Sequence, residues 1–156
     1  MKKKTLGRGF RVPGFTAAGI FCGIKTNKQK DLSLIFSEKP SVAAGVFTSN
    51  KVVSPTITWC RQILKNSRSF RAILVNSGNA NACTGPEGMK DCKYLASELS
   101  QELSVNPKEI LIASTGIIGV PLPKNKIIKS LPVLSKKLSP AGWIRSAEAI
   151  MTTDLT

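Results

Sequence analysis

Two short stretches of this sequence combine residue types that could do chemistry. "ASTG" at 113–116 places a threonine hydroxyl beside a glycine N–H at the exit of the apolar run "ILIA". Both are neutral donors that need neither move nor change charge, so Thr115 and Gly116 suit a developing oxyanion in acyl transfer. A plain strand-to-turn exit has the same composition and is the commoner outcome of such spacing. "NSGNANACTG" at 76–85 follows a second apolar run, "AILV", and sets Asn76, Asn79 and Asn81 among glycines and small residues. Asparagine and glycine tolerate left-handed backbone, and amides donate and accept hydrogen bonds without charge. The segment therefore reads equally as a polar wall beside a site or as a long self-bonded turn.

The missing residue types narrow the chemistry. The chain contains no histidine, so neither a Ser-His-Asp nor a Cys-His nucleophile can be assembled within it. A threonine at a newly exposed chain terminus, activated by its own α-amine, is one known alternative. Cys22, Cys60, Cys83 and Cys92 fall at irregular spacings without a C-x-x-C pair. Mixed Cys/His zinc sites are thus excluded within the chain; no metal is expected, and the cysteines read as reduced, mostly buried thiols. "GIFCGIKT" at 19–26 imitates a phosphate-binding P-loop, but Ile24 between Gly23 and Lys25 breaks the G-x-x-x-x-G-K-S/T spacing on which the backbone cradle depends. "GRGFRV" at 7–12 begins like a dinucleotide fingerprint, then ends in valine and follows no strand.

These stretches need elements to hold them. "DLSLIF" has the length and alternation of a strand, with Leu32, Leu34 and Phe36 on one face. Ala17-Ala18-Gly19 and Ala43-Ala44-Gly45, each followed by β-branched or aromatic residues, suggest two similar strands whose small residues let backbones approach closely. "AILV" at 72–75 reads as a strand covered on both faces. A helix follows from about Pro86 to Leu103, with Thr84 and Glu87 in capping-box spacing and Met89, Cys92, Leu95, Ala96, Leu99 and Leu103 on one face. "NP" at 106–107 closes it, "EILIAST" restarts a strand, and helices follow over about 124–138 and from near Ile144. The order is that of an α/β fold.

With 156 residues, 42% of them hydrophobic, the chain can bury one core and reads as one domain, 1–156. "FTAAGIFCGI" is too short for the roughly 20 residues of a bilayer span. "MKKK" mimics a signal peptide, but "TLGRGFRVPG" follows in place of an apolar h-region, so a cytoplasmic protein is expected. A net charge of +14 raises nucleic acid as a partner. The cations lie in small scattered groups, however, and no aromatic stacking pattern accompanies them, which disfavours that reading. A lysine-rich surface, an acidic partner chain and an anionic small molecule remain open.

Five motifs in order carry a resemblance. "GFTAAGIFCGIK" (14–25), "VAAGVFTSN" (42–50), "VNSGNANACTG" (75–85), "ASTGIIGVPLP" (113–123) and "AEAIMTTD" (147–154) together resemble the ornithine acetyltransferase, or glutamate N-acetyltransferase, family of arginine biosynthesis. The resemblance is collinear from about Gly9 to Asp154. It implies that family's layered α/β fold of sheets and helices, incomplete here at the C-terminus. It also implies acetyl transfer from N-acetylornithine to glutamate through an acyl-threonine. Some members also accept acetyl-CoA as acetyl donor; no resident cofactor is implied. The family's precursor cuts itself before that threonine, so a second, C-terminal chain is the implied partner in a hetero-oligomer. The family's Thr-Gly oxyanion pair falls on Thr115 and Gly116, and its substrate-contacting threonine falls on Thr152. The family's nucleophile lies beyond Thr156, so none is assigned within this sequence, and Thr153 and Thr156 are not candidates. The chain accordingly reads as a truncated first portion, inactive alone. The alternatives are a non-catalytic remnant or a basic module that binds anions or nucleic acid.

Overall fold

The structure, a computed structural model, describes residues 10–152. Strand β1 (Phe15–Ile20) pairs antiparallel with β2 (Leu32–Ser41), β2 pairs antiparallel with β3 (Phe70–Asn79), and β3 pairs in parallel with β4 (Ile110–Ile117). Spatial order therefore follows chain order. A parallel neighbour requires a crossover, supplied here by helix α2 (Gly85–Leu103) and a 3₁₀ turn at Pro107–Glu109. Helix α1 (Pro55–Asn66) precedes β3, while α3 (Lys124–Lys136) and α4 (Trp143–Ile150) follow β4.

Strand alternation sorts the sheet into two unlike faces. Ala18, Leu32, Leu34, Ala72, Leu74, Ile110 and Ile112 are buried on one, in a single cluster with Trp59 and Ile63 of α1, Leu95 and Leu99 of α2, and Ile127 and Leu131 of α3. Each leucine and isoleucine among them contributes about 1.5–3 kcal/mol when withdrawn from water, so this layer dominates stability. The opposite face is covered at one end by α4. A Cβ at Gly19 would stand 1.9 Å from the Arg145 carbonyl oxygen, so glycine is what lets the helix backbone rest on the strand. The Ser33 and Ser146 hydroxyls lie 2.6 Å apart, and Ser77 Oγ donates to the Ala149 carbonyl at 2.6 Å, fastening α4 across β2 and β3. Further along that face Ile35, Val75 and Leu111 are half-buried and Ile73 is 36% exposed. "AILV" is thus not fully covered on both faces: α4 reaches Ser77, while Ile73 keeps about a third of its surface open.

Other expectations change for local reasons. No strand forms at Ala43–Gly45; the segment lies outside the sheet, with Val46 fully exposed. Arg61 of α1 holds it instead, its guanidinium 5.4 Å from the Phe47 ring centroid and donating to the Thr48 carbonyl. The capping box at Thr84 does not form, because Thr84 Oγ1 donates to Asn81 Oδ1 at 2.9 Å and Glu87 pairs with Lys90 at 2.6 Å. A box does form one turn before β4, where Asn106 Oδ1 accepts from Lys108 N–H and Glu109 Oε2 accepts from Asn106 N–H. The basic lead-in over 1–9 and the positions from Thr153 to Thr156 lie outside the described residues. Among the described residues no helix is long and apolar enough to cross a membrane.

All four cysteines are free thiols, but only Cys60 and Cys92 are buried; Cys22 is half-buried and Cys83 is exposed at a left-handed φ of 56°. The expectation of mostly buried thiols therefore fails at Cys83, which the turn before α2 turns outward. Burial pushes the Cys92 thiol up to about 12, and burial together with the Asp31 carboxylate does the same at Cys22. Since the thiolate is the reactive form, an aromatic disulfide reagent at pH 8 should modify Cys83 rapidly and the other three only in denaturant. Prompt release of more than one equivalent from the folded chain would contradict this placement.

Candidate functional site

The parallel pairing of β3 with β4 brings the two asparagine- and glycine-rich exits together. Ser77 stands opposite Thr115 and Gly78 opposite Gly116, at the carboxyl ends of both strands. In open α/β sheets this is where ligand crevices form. A Cβ on Gly116 would lie 2.4 Å from the Gly78 carbonyl carbon, so the two backbones touch at a pair only glycine permits. Ala80 N–H donates to the Ile117 carbonyl and Gly119 N–H to the Ala82 carbonyl, each within 2.9 Å, so the exits stay joined beyond the strands.

The asparagines of "NSGNANACTG" serve as cross-braces. Asn76, Asn79 and Asn81 are at most 4% exposed. Asn76 Nδ2 donates to the Asn79 carbonyl at 2.8 Å while its Oδ1 accepts from Ser114 Oγ at 2.6 Å. Asn79 Nδ2 donates to the Val120 carbonyl at 3.0 Å, and Asn81 Nδ2 donates to the Gly88 carbonyl at 3.1 Å. Buried amides of this kind are stabilising only when satisfied, as these are. The first four positions, Asn76 to Asn79, still belong to β3, so the segment is half strand and half bracing.

Above the paired glycines lies a pocket of about 550 Å³. Thr115, Gly116 and Thr152 all line it, together with Gly78, Lys25 and Asn27. The three residues singled out in the sequence are therefore brought to one cavity although Thr152 is far along the chain and beyond α4. Thr115 is half-buried, while Gly116 and Thr152 are exposed toward the opening. Among the described residues that line it there are hydroxyls, amides and one ammonium, and neither carboxylate nor thiol. Such a wall can hold an anion or a developing oxyanion, but it supplies no general base.

Sequence reading missed the far wall, formed by the segment Ile24–Gln29. Asp31, fully buried, accepts hydrogen bonds from the backbone N–H groups of Cys22 at 2.6 Å, Gly23 at 3.2 Å, Ile24 at 2.7 Å and Lys25 at 2.9 Å. This is a backbone nest, the concavity in which P-loops hold phosphate, filled by the chain's own carboxylate. The likeness of "GIFCGIKT" to a phosphate loop thus had a physical basis, and the signal that would have exposed its occupant is the aspartate just before "LSLIF". Lys25 Nζ donates to the Lys30 carbonyl at 3.0 Å and also to the Met151 carbonyl. The loop is thereby tied to the backbone immediately before Thr152. Gly78, at φ 96°, makes room for it: a Cβ there would meet Ile24 Cγ2 at 2.9 Å.

The ArgJ family model matches residues 16–156. Among similar proteins is the arginine biosynthesis bifunctional protein ArgJ of Synechocystis, 47% identical over 142 residues that make up 91% of this chain and 34% of the relative. The protein of that name from Thermotoga neapolitana is also 47% identical, over 90% of this chain and 35% of its own length. The crystal structure of Mycobacterium tuberculosis ornithine acetyltransferase complexed with ornithine superposes with a TM-score of 0.88 at 39% identity, covering 92% of this chain and 78% of that one. The ArgJ protein of Bacillus halodurans gives a TM-score of 0.85 at 33% identity. The chain spans about a third of the length of the curated relatives it matches.

Proposed function

Because this chain belongs to the ArgJ family, we propose that it forms one wall of an acetyl-transfer site, in which N-acetylornithine donates and glutamate accepts. The observation that carries the reading is the convergence of Thr115, Gly116 and Thr152 on one pocket. In it the Thr115 hydroxyl and Gly116 N–H stabilise the oxyanion of the tetrahedral intermediate, and Thr152 contacts the amino-acid substrate. The attacking hydroxyl and its base come from elsewhere, consistent with a pocket lining that holds neither carboxylate nor thiol and a chain that holds no histidine. The chemistry needs no resident cofactor; acetyl-CoA would enter as an alternative donor. The proposed compartment is the cytoplasm, where amino-acid substrates meet free thiols such as these.

The proposed partner is a second chain carrying the remaining two-thirds of the family's length. Its docking surface is the sheet face around Ile35, Ile73, Val75 and Leu111, which α4 leaves uncovered. The test is reconstitution. The purified chain alone should not transfer acetyl from N-acetylornithine to glutamate, and mixing with the separately produced second chain should restore transfer. In the mixture Thr115→Val should lower kcat with KM little changed, the mark of a donor used mainly in the transition state. Turnover by the chain alone, or an unaltered kcat in the variant, would overturn the assignment.

A further inference from the structure

A second cavity, of about 810 Å³, opens on the other side of the 21–31 loop and plays no part in the site above. Five cationic side chains line it: Lys28 and Lys30 from the loop, Lys129 from α3, Lys137 from the cap at the end of α3, and Arg145 from α4. Two features of the fold bring them together. Helix α3 carries Lys129 along its length and ends in the cap residue Lys137, and both reach the cavity. Gly19 lets the α4 backbone lie directly against β1, which carries Arg145 to the cavity edge. Lys30 pairs with Glu148 at 2.6 Å. Among the described residues no carboxylate pairs with Lys28, Lys129, Lys137 or Arg145.

Four uncompensated cations around one cavity repel one another, and an anion of matching charge relieves that repulsion while accepting their hydrogen bonds. A single carboxylate is too small a charge for four donors. Phe21, 44% exposed, adds an aromatic surface to the same cavity. We propose that this cavity is a binding site for the di- or triphosphate group of a small molecule, gripped by Lys28, Lys129, Lys137 and Arg145. The phosphate chain can come from a nucleotide, whose base would rest on Phe21, or from inorganic polyphosphate.

Calorimetric titration of the full chain with sodium tripolyphosphate, and separately with ATP, in moderate salt tests this. One saturable site per chain is expected, with Lys129→Gln and Arg145→Gln each weakening it by about tenfold. Lys93→Gln, on the exposed side of α2, should leave it unchanged. Tighter binding of ATP than of tripolyphosphate, with the difference abolished by Phe21→Ala, identifies a nucleotide; equal affinities identify the bare polyphosphate. Heats that do not saturate, or equal weakening by Lys93→Gln, would mean diffuse attraction to a basic surface and would defeat the proposal.

Discussion

Asp31→Ala is expected to lose about 5 kcal/mol of folding stability, enough to leave a domain of ordinary stability largely unfolded. The carboxylate is fully buried and accepts from four successive backbone donors, Cys22 to Lys25. Removing it strands those N–H groups, and each buried donor left without a partner costs about 1–3 kcal/mol. Water can enter from the pocket side and satisfy some of them, which is why the expected loss lies near the lower end of the range that four such donors would give. Asp31 also ties the sheet through its own backbone, its N–H donating to the Ile20 carbonyl and its carbonyl accepting from Ser77 N–H, both at 2.9 Å. Those bonds survive the substitution, so β1, β2 and β3 should keep their register in whatever fraction remains folded. Urea unfolding measures the loss. Hydrogen exchange locates it, with protection expected to collapse first at Cys22 to Lys25. Asp31→Asn should sit between, because one oxygen still accepts while its amide N–H groups oppose the loop's donors. A midpoint within about 0.5 kcal/mol of the parent for Asp31→Ala, the range of an ordinary surface change, would show that the loop does not depend on the nest.

What the sequence revealed follows the range over which each signal acts. The apolar face of α2, from Met89 to Leu103, is a local periodicity that the core needed as written, and the structure returns it with Cys92, Leu95, Ala96 and Leu99 buried. "DLSLIF" and "EILIAST" were legible as strands for the same reason. Failures came where two local rules competed for one atom. Thr84 has the spacing to cap α2, but Asn81 Oδ1 lies nearer its hydroxyl, and the turn geometry of Asn81 and Cys83, both at positive φ, holds it there. Ala43–Gly45 has strand composition without a strand partner, and pairing is a property of two segments rather than one. The convergence of Thr115, Gly116 and Thr152 was not legible from spacing at all. It depends on a parallel register, on glycine at two facing positions, and on Lys25 reaching the backbone beside Thr152, none of which is a periodicity.

Gly116→Ala isolates that register. At φ 133° the residue occupies backbone space that an L side chain rarely enters, and an added Cβ would stand 2.4 Å from Gly78 C, 2.6 Å from Asn79 N and 2.8 Å from Gly78 Cα. All three neighbours are backbone, so no rotamer change can relieve the overlap; β3 and β4 must part at their carboxyl ends. Strain of about 1–3 kcal/mol and overpacking of similar size lead us to expect a loss of about 4 kcal/mol in urea unfolding. Gly119→Ala provides the contrast. It too has positive φ, 76°, but nothing stands within 4 Å of its Cβ, so it carries backbone strain alone and should lose about 1 kcal/mol. The difference between the two measures the close approach of the strands. If the variants prove equally stable, β3 and β4 can separate at Gly78 and Gly116 without cost. Their contact would then not be what sets Thr115 opposite Ser77 and Gly116 opposite Gly78 at the mouth of the pocket.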